Sequence, residues 1–74
     1  MAATVLGEFD GLAAAQGART ALLAAGVPEV RITLSEDAGR TWTLSVYAES
    51  SFEREHIQGL LQRQGARHTV QLES

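Results

Sequence analysis

The stretch VRITLSEDAGRTWTLSVYA, residues 30–48, contains two runs in which apolar and polar side chains alternate. Such alternation predicts half-buried β-strands, because successive side chains of a strand point to opposite faces. The polar residues 36–40 between the runs predict a turn in which Gly39 takes a positive φ. We therefore expect an antiparallel hairpin with these residues inward: Val30, Ile32, Leu34, Trp42, Leu44, Val46 and Ala48.

A strand and a helix are predicted before this hairpin. Residues 4–9 are short and mostly apolar, as in a central strand, and Asp10 is expected to cap a helix over residues 12–25. Gly26 and Pro28 predict the end of that helix. The inward residues expected here are Val5, Gly7 and Phe9 on the strand and Ala15, Ala18, Leu22 and Ala25 on the helix.

A second helix and a last strand are predicted after the hairpin. Ser50 and Glu53 have the spacing of a capping box, and Gly65 predicts the end of the helix that starts there. Residues 69–73 alternate again. The inward residues expected are Phe52, Ile57, Leu60 and Leu61 on the helix and Val70 and Leu72 on the strand.

The order strand, helix, strand, strand, helix, strand predicts one α+β domain over residues 1–74 with the ferredoxin-like split βαβ arrangement. Right-handed crossovers place both helices on one face of a four-stranded antiparallel sheet. The other face is then open to solvent or to a partner. Gly17 and Gly59 interrupt the helices, which predicts either close approach of helix to sheet or a helix contact between subunits.

Composition limits the function classes. The chain has 74 residues, no cysteine and a formal net charge of -3. Disulfides and Cys-ligated zinc are therefore excluded, and an acidic surface does not attract nucleic acid or anionic lipid. The N-terminus lacks a secretory signal pattern, so we expect a cytoplasmic protein with no membrane partner.

The polar residues predict no catalytic, cofactor or metal site. His56 and His68 lack a second histidine or a carboxylate at a convincing ligand spacing. Ser50 and Ser51 are explained as helix caps rather than nucleophiles, and no glycine-rich phosphate loop follows the first strand. We therefore expect a protein that is not an enzyme.

The predicted contact surface is the open sheet face or the glycine-bearing helix faces, because a small core favours association with a second copy or another protein. Only one aromatic residue is expected on the open sheet face, which does not suit RNA binding by base stacking. The predicted interface residues are Leu6, Arg31, Thr33, Thr43, Ser45 and Tyr47.

Three segments resemble those of the general stress protein 17M-like family: residues 5–10, residues 22–28 and the span from residue 44 to residue 66. This resemblance implies a small stress-related domain and gives no site residues. The first strand also resembles a SPOR domain through Val5, Gly7 and Phe9, which implies peptidoglycan binding. A third alternative is a small-ligand regulatory domain of the ACT type, with a ligand at the loop after the first strand.

Overall fold

The computed structural model describes residues 2–37 and 39–73. Six main elements follow one another in the order expected from the sequence, with one short 3₁₀ helix, Glu29–Arg31, before the second strand. The elements are β1 (Ala3–Phe9), α1 (Leu12–Ala24), β2 (Ile32–Glu36), β3 (Trp42–Ala48), α2 (Ser51–Arg63) and β4 (His68–Glu73).

The four strands form one antiparallel sheet in the order β2-β3-β1-β4. Both helices pack on the same face, because buried residues of α1 and α2 share one cluster with the inward residues of β1 and β3. This confirms the predicted α+β, ferredoxin-like split βαβ fold. The opposite face of the sheet carries no helix.

The core lies between the two helices and the two central strands. Its largest fully buried side chains are Phe9, Leu22, Leu44, Ile57, Leu61, Val5 and Val46. The predicted burial of Leu22, Ile32 and Leu44 is confirmed, whereas Trp42 is only half-buried at the margin of this core. Alanines at positions 15 and 18 let α1 lie close to the sheet.

The glycine that admits close packing is Gly7 of β1. A Cβ atom there would lie 3.1 Å from Leu61 Cδ1 and 3.3 Å from Phe9 Cε1. At Gly17 a Cβ would meet nothing within 4 Å, and at Gly59 it would meet only Arg63 of the same helix. The prediction that these two helical glycines allow close approach to the sheet is therefore wrong.

The helix starts differ from each other. Ser50 caps α2 as predicted, accepting a hydrogen bond from the Glu53 N–H at 3.1 Å. The other half of the capping box differs, because the Glu53 carboxylate accepts from the Glu49 N–H at 2.8 Å. The predicted Asp10 cap of α1 is wrong, because Gly11 occupies the N-cap position without a side-chain hydrogen bond. The Asp10 carboxylate instead pairs with Arg67 at 3.0 Å.

Three side chains predicted to be inward point outward. Val30 is 92% exposed because the chain after Pro28 forms a 3₁₀ turn, with the Arg31 N–H donating to the Pro28 carbonyl, and β2 starts only at Ile32. Phe52 is 82% exposed in the first turn of α2. Ala25 is exposed because it lies beyond the last residue of α1, at its C-cap.

The predicted phase of β4, meaning which of its alternating side chains face the helices, is also wrong. Backbone pairing sets Leu6 opposite Val70 and Thr4 opposite Leu72, while Val5 and Gly7 lie opposite Gln71 and Thr69. Paired residues point to the same face of a sheet. Because Val5 is fully buried under the helices, Val70 and Leu72 lie on the face without helices.

Candidate interaction surface on the open sheet face

The open face is the side of the sheet opposite the helices. Cross-strand pairing arranges its described side chains in three rows across the sheet. The first row is Tyr47, Thr4 and Leu72, the second is Thr33, Ser45, Leu6 and Val70, and the third is Ser35, Thr43, Glu8 and His68.

Four side chains form an apolar patch on this face: Leu6, Tyr47, Val70 and Leu72. Leu6 and Val70 are direct cross-strand partners and are half-buried by their neighbours. Leu72 is 50% exposed and Tyr47 is 40% exposed, on either side of Thr4. Large apolar side chains that share an exposed surface are typical of a binding site.

Strand β4 places its two apolar patch residues on the open face because its helix-facing side is polar. Thr69 Oγ1 accepts hydrogen bonds from Gln58 Nε2 at 3.1 Å and from Gln62 Nε2 at 3.4 Å. Gln71 Nε2 donates to Gln58 Oε1. The contact between α2 and β4 is therefore made by amides and a hydroxyl, which leaves the apolar side chains of β4 on the other face.

The same contact continues at the end of β4. Arg54 of α2 lies 3.7 Å from the Glu73 carboxylate, and its side chain is only 19% exposed. Its largely covered stem lies between α2 and the last strand, which anchors the strand in the observed phase.

In the described residues, the carboxylate, guanidinium and imidazole groups of the open face lie at one end of it, in or beside the third row, where the Asp37 carboxylate accepts a hydrogen bond from Thr43 Oγ1. Glu8 and His68 are direct cross-strand partners there. Arg67, the residue before β4, lies 3.6 Å from the Glu8 carboxylate and 3.0 Å from that of Asp10. Its backbone N–H also donates to the Glu8 carbonyl at 2.8 Å. We call these four residues, Glu8, Asp10, Arg67 and His68, the charged end of the face.

Most of the residues predicted to form the interface lie on the same face of the sheet. Five of its members, Leu6, Thr33, Thr43, Ser45 and Tyr47, lie on the open face.

Arg31 is the exception. It precedes β2, and its guanidinium contacts Glu49 at 2.8 Å and Glu53 at 3.3 Å, at the start of α2. Its predicted place on the open face is wrong, because two carboxylates draw it toward the helix layer.

Sequence reasoning missed Val70, Leu72 and His68. The alternation of β4 is clear, but alternation does not say which set of side chains faces the helices. The glutamines at positions 58 and 62 of α2 were the available signal, since they share a helix face with each other and half-buried Gln58 requires polar partners.

His56, one of the two histidines weighed as a metal ligand, stacks on Phe52 with ring centroids 6.4 Å apart. Residues 2–37 and 39–73 enclose no cavity, and they bring together no group of three or more His, Asp or Glu side chains that could hold a metal ion. In the same residues, no helix has the length and apolar character needed to cross a membrane.

Comparisons of this chain with protein-family models, with curated proteins and with solved structures found no match. The resemblances to the general stress protein 17M-like family and to SPOR domains therefore stay predictions. The functional hypothesis depends on the open face alone.

Proposed function

We propose that this domain is a non-enzymatic self-association module, and that its open sheet face binds the open face of a second copy. The observation that supports this proposal is the phase of β4. This strand places Val70 and Leu72 beside Leu6 on the face without helices, while its helix-facing positions hold threonine and glutamine. In a monomer Leu72 stays half exposed, whereas a dimer buries it.

The chemistry of the face favours a second copy over other partners. Among the described residues its first two rows carry hydroxyl and aliphatic groups and no carboxylate or guanidinium. A surface of this kind offers no phosphate contacts and matches another neutral, gently twisted sheet. A second copy supplies such a surface at the same concentration, and twofold symmetry makes every contact occur twice.

The size of the face predicts a weak dimer. With strands about 4.8 Å apart and a rise of about 3.3 Å per residue, the whole face, five residues of four strands, covers roughly 300 Å² in projection, and any part of it covers less. Side-chain relief raises the accessible area above that value, but a standard interface takes about 800 Å² from each partner. We therefore expect weak association, with a dissociation constant on the order of 100 μM.

Sedimentation equilibrium of the wild type, Leu72→Asp and Phe52→Asp tests this proposal. Leu72→Asp buries a carboxylate in the proposed interface and should raise the dissociation constant by about thirtyfold or more. Phe52→Asp is the matched control, because it places the same charge at a more exposed apolar position in the helix layer. It should change the dissociation constant by less than about twofold.

Circular dichroism melting at low concentration checks that both variants fold. A wild-type protein that stays folded and monomeric at about 0.5 mM, well above the expected dissociation constant, would contradict the proposal. Equal weakening of the dimer by both variants would also contradict it, since only one of them lies on the sheet face.

A further inference from the structure

We infer that the second copy packs off-centre, on the half of the open face formed by β1 and β4. The twofold axis of this dimer runs parallel to the strands, above the gap between β1 and β4. This inference depends on the proposed self-association. It specifies which half of the sheet is covered and which ends of the two sheets lie together.

The lateral distribution of apolar side chains supports the off-centre position. Strand β4 contributes Val70 and Leu72, β1 contributes Leu6, and β3 contributes Tyr47 at one end. The described positions of β2 on this face are Thr33 and Ser35, both exposed hydroxyl residues. An axis between β1 and β4 therefore covers Leu6, Val70 and Leu72, whereas an axis nearer β2 covers hydroxyl side chains in their place.

An axis between β1 and β4 makes the face complementary to itself. Rotation about it sets β1 of one copy over β4 of the other. Leu6 then faces Val70 of the second copy, and Thr4 faces Leu72 of the second copy, each contact occurring twice. In the third row, Glu8 faces His68 of the second copy. Two sheets packed in this aligned way lie about 10 Å apart, with strands crossing at roughly 30°.

The charged end determines the direction of the axis. Consider an axis that lies in the plane of the sheets but perpendicular to the strands. It would place the third row of one copy, with Glu8 and His68, over the first row of the other copy, which contains Tyr47 and Leu72. That arrangement would bury ionised groups against apolar side chains. An axis parallel to the strands instead brings the two charged ends together at the rim, where water reaches them.

This direction has a consequence for charge. Each charged end holds two carboxylates, Glu8 and Asp10, that share one guanidinium, Arg67. Two such ends at one rim repel each other. Asp10→Asn removes a carboxylate from each end and should therefore make the dimer about threefold tighter.

Spin-label distances locate the axis. The chain has no cysteine, so Ser35→Cys places a single label on β2, outside the inferred interface. With the axis between β1 and β4, the two β2 strands lie about five strand spacings apart, roughly 24 Å in the plane of the sheets. An axis at the centre of the sheet would set them about three spacings apart, roughly 14 Å.

A distance near the longer value supports the inference, and one near the shorter value overturns it. Thr33→Asp gives a second measure, since a charge on β2 should change the dissociation constant by less than about threefold if this strand lies outside the interface. A larger loss would overturn the off-centre position. The absence of dipolar coupling at high concentration would mean that the proposed self-association itself fails.

The dissociation constant of Asp10→Asn, compared with that of the wild type, tests the direction of the axis. An Asp10→Asn dimer that is no tighter than the wild-type dimer would overturn the parallel axis. That result could occur in a protein that still dimerises, so this measurement separates the inference from the proposed function.

Discussion

Strands β3 and β4 have similar alternating patterns but present their apolar residues to opposite faces of the sheet. Both pair antiparallel with β1. In β3 the apolar residues Leu44 and Val46 face the helices and are fully buried. In β4 the apolar residues Val70 and Leu72 face away from the helices, and Leu72 is half exposed.

The difference between the two strands shows what each contributes. The helix-facing side of β3 forms the core, because α1 and α2 both supply apolar side chains above it. The helix-facing side of β4 meets the glutamines of α2, so it is held by hydrogen bonds. An apolar side chain on β3 therefore stabilises the monomer, and one on β4 is available for association.

The largest expected effect compares equivalent truncations on the two strands. Leu44→Ala should lower the free energy of unfolding by roughly 2–5 kcal/mol, because it leaves a cavity in the closed core. Leu72→Ala should change it by about 0.5 kcal/mol or less at a concentration where the protein is monomeric. Urea denaturation below the dimer dissociation constant measures both values. Comparable losses in the two variants would mean that β4 contributes to the core as β3 does.

A smaller effect is expected at Gly7, which lies between the two strands and pairs with Leu44 and Thr69. Gly7→Val should destabilise the fold by about 1–3 kcal/mol, because its side chain would overlap Leu61 and Phe9. Gly17→Ala is the matched control. It adds a methyl group where nothing lies within 4 Å, and should stabilise α1 by up to about 1 kcal/mol. Thermal melting distinguishes a loss at the first position from a gain at the second.

The smallest effect concerns the polar contact between α2 and β4. Gln71→Leu should cost about 1 kcal/mol, because it leaves half-buried Gln58 Oε1 without the amide that donates to it. Adding Gln58→Leu should restore most of that loss, since two apolar side chains then replace a hydrogen-bonded pair. A double-mutant cycle by urea denaturation measures the coupling. Additive losses would show that the two amides do not act together.

Local patterns were sufficient for most of the architecture. The alternation around Gly39 predicted the hairpin of β2 and β3, and the spacing of Ser50 and Glu53 predicted the start of α2. These predictions succeeded because turns, caps and periodicity depend on residues a few positions apart. Val30 was placed wrongly for a related reason, since its alternation continues that of β2 although the chain there still forms a 3₁₀ turn after Pro28.

The candidate site could be predicted only in part. Leu6, Thr33, Thr43, Ser45 and Tyr47 were located on the open face because each belongs to a strand whose inward partners are strongly apolar. Val70, Leu72 and His68 were missed, because an alternating strand of six residues fits a sheet equally well in either phase. Arg31 was assigned to the face by alternation, whereas its charge pairs with Glu49 and Glu53.

The sequence by itself determined the order of helices and strands, the hairpin, the positive-φ turns and the side of β1 and β3 that forms the core. Each of these follows from short-range preferences and from the period of apolar residues along one segment. Only the tertiary structure decided which face β4 presents. That choice depends on pairing with β1 and on hydrogen bonds to Gln58 and Gln62 of α2, and these contacts exist only once distant segments have been brought together.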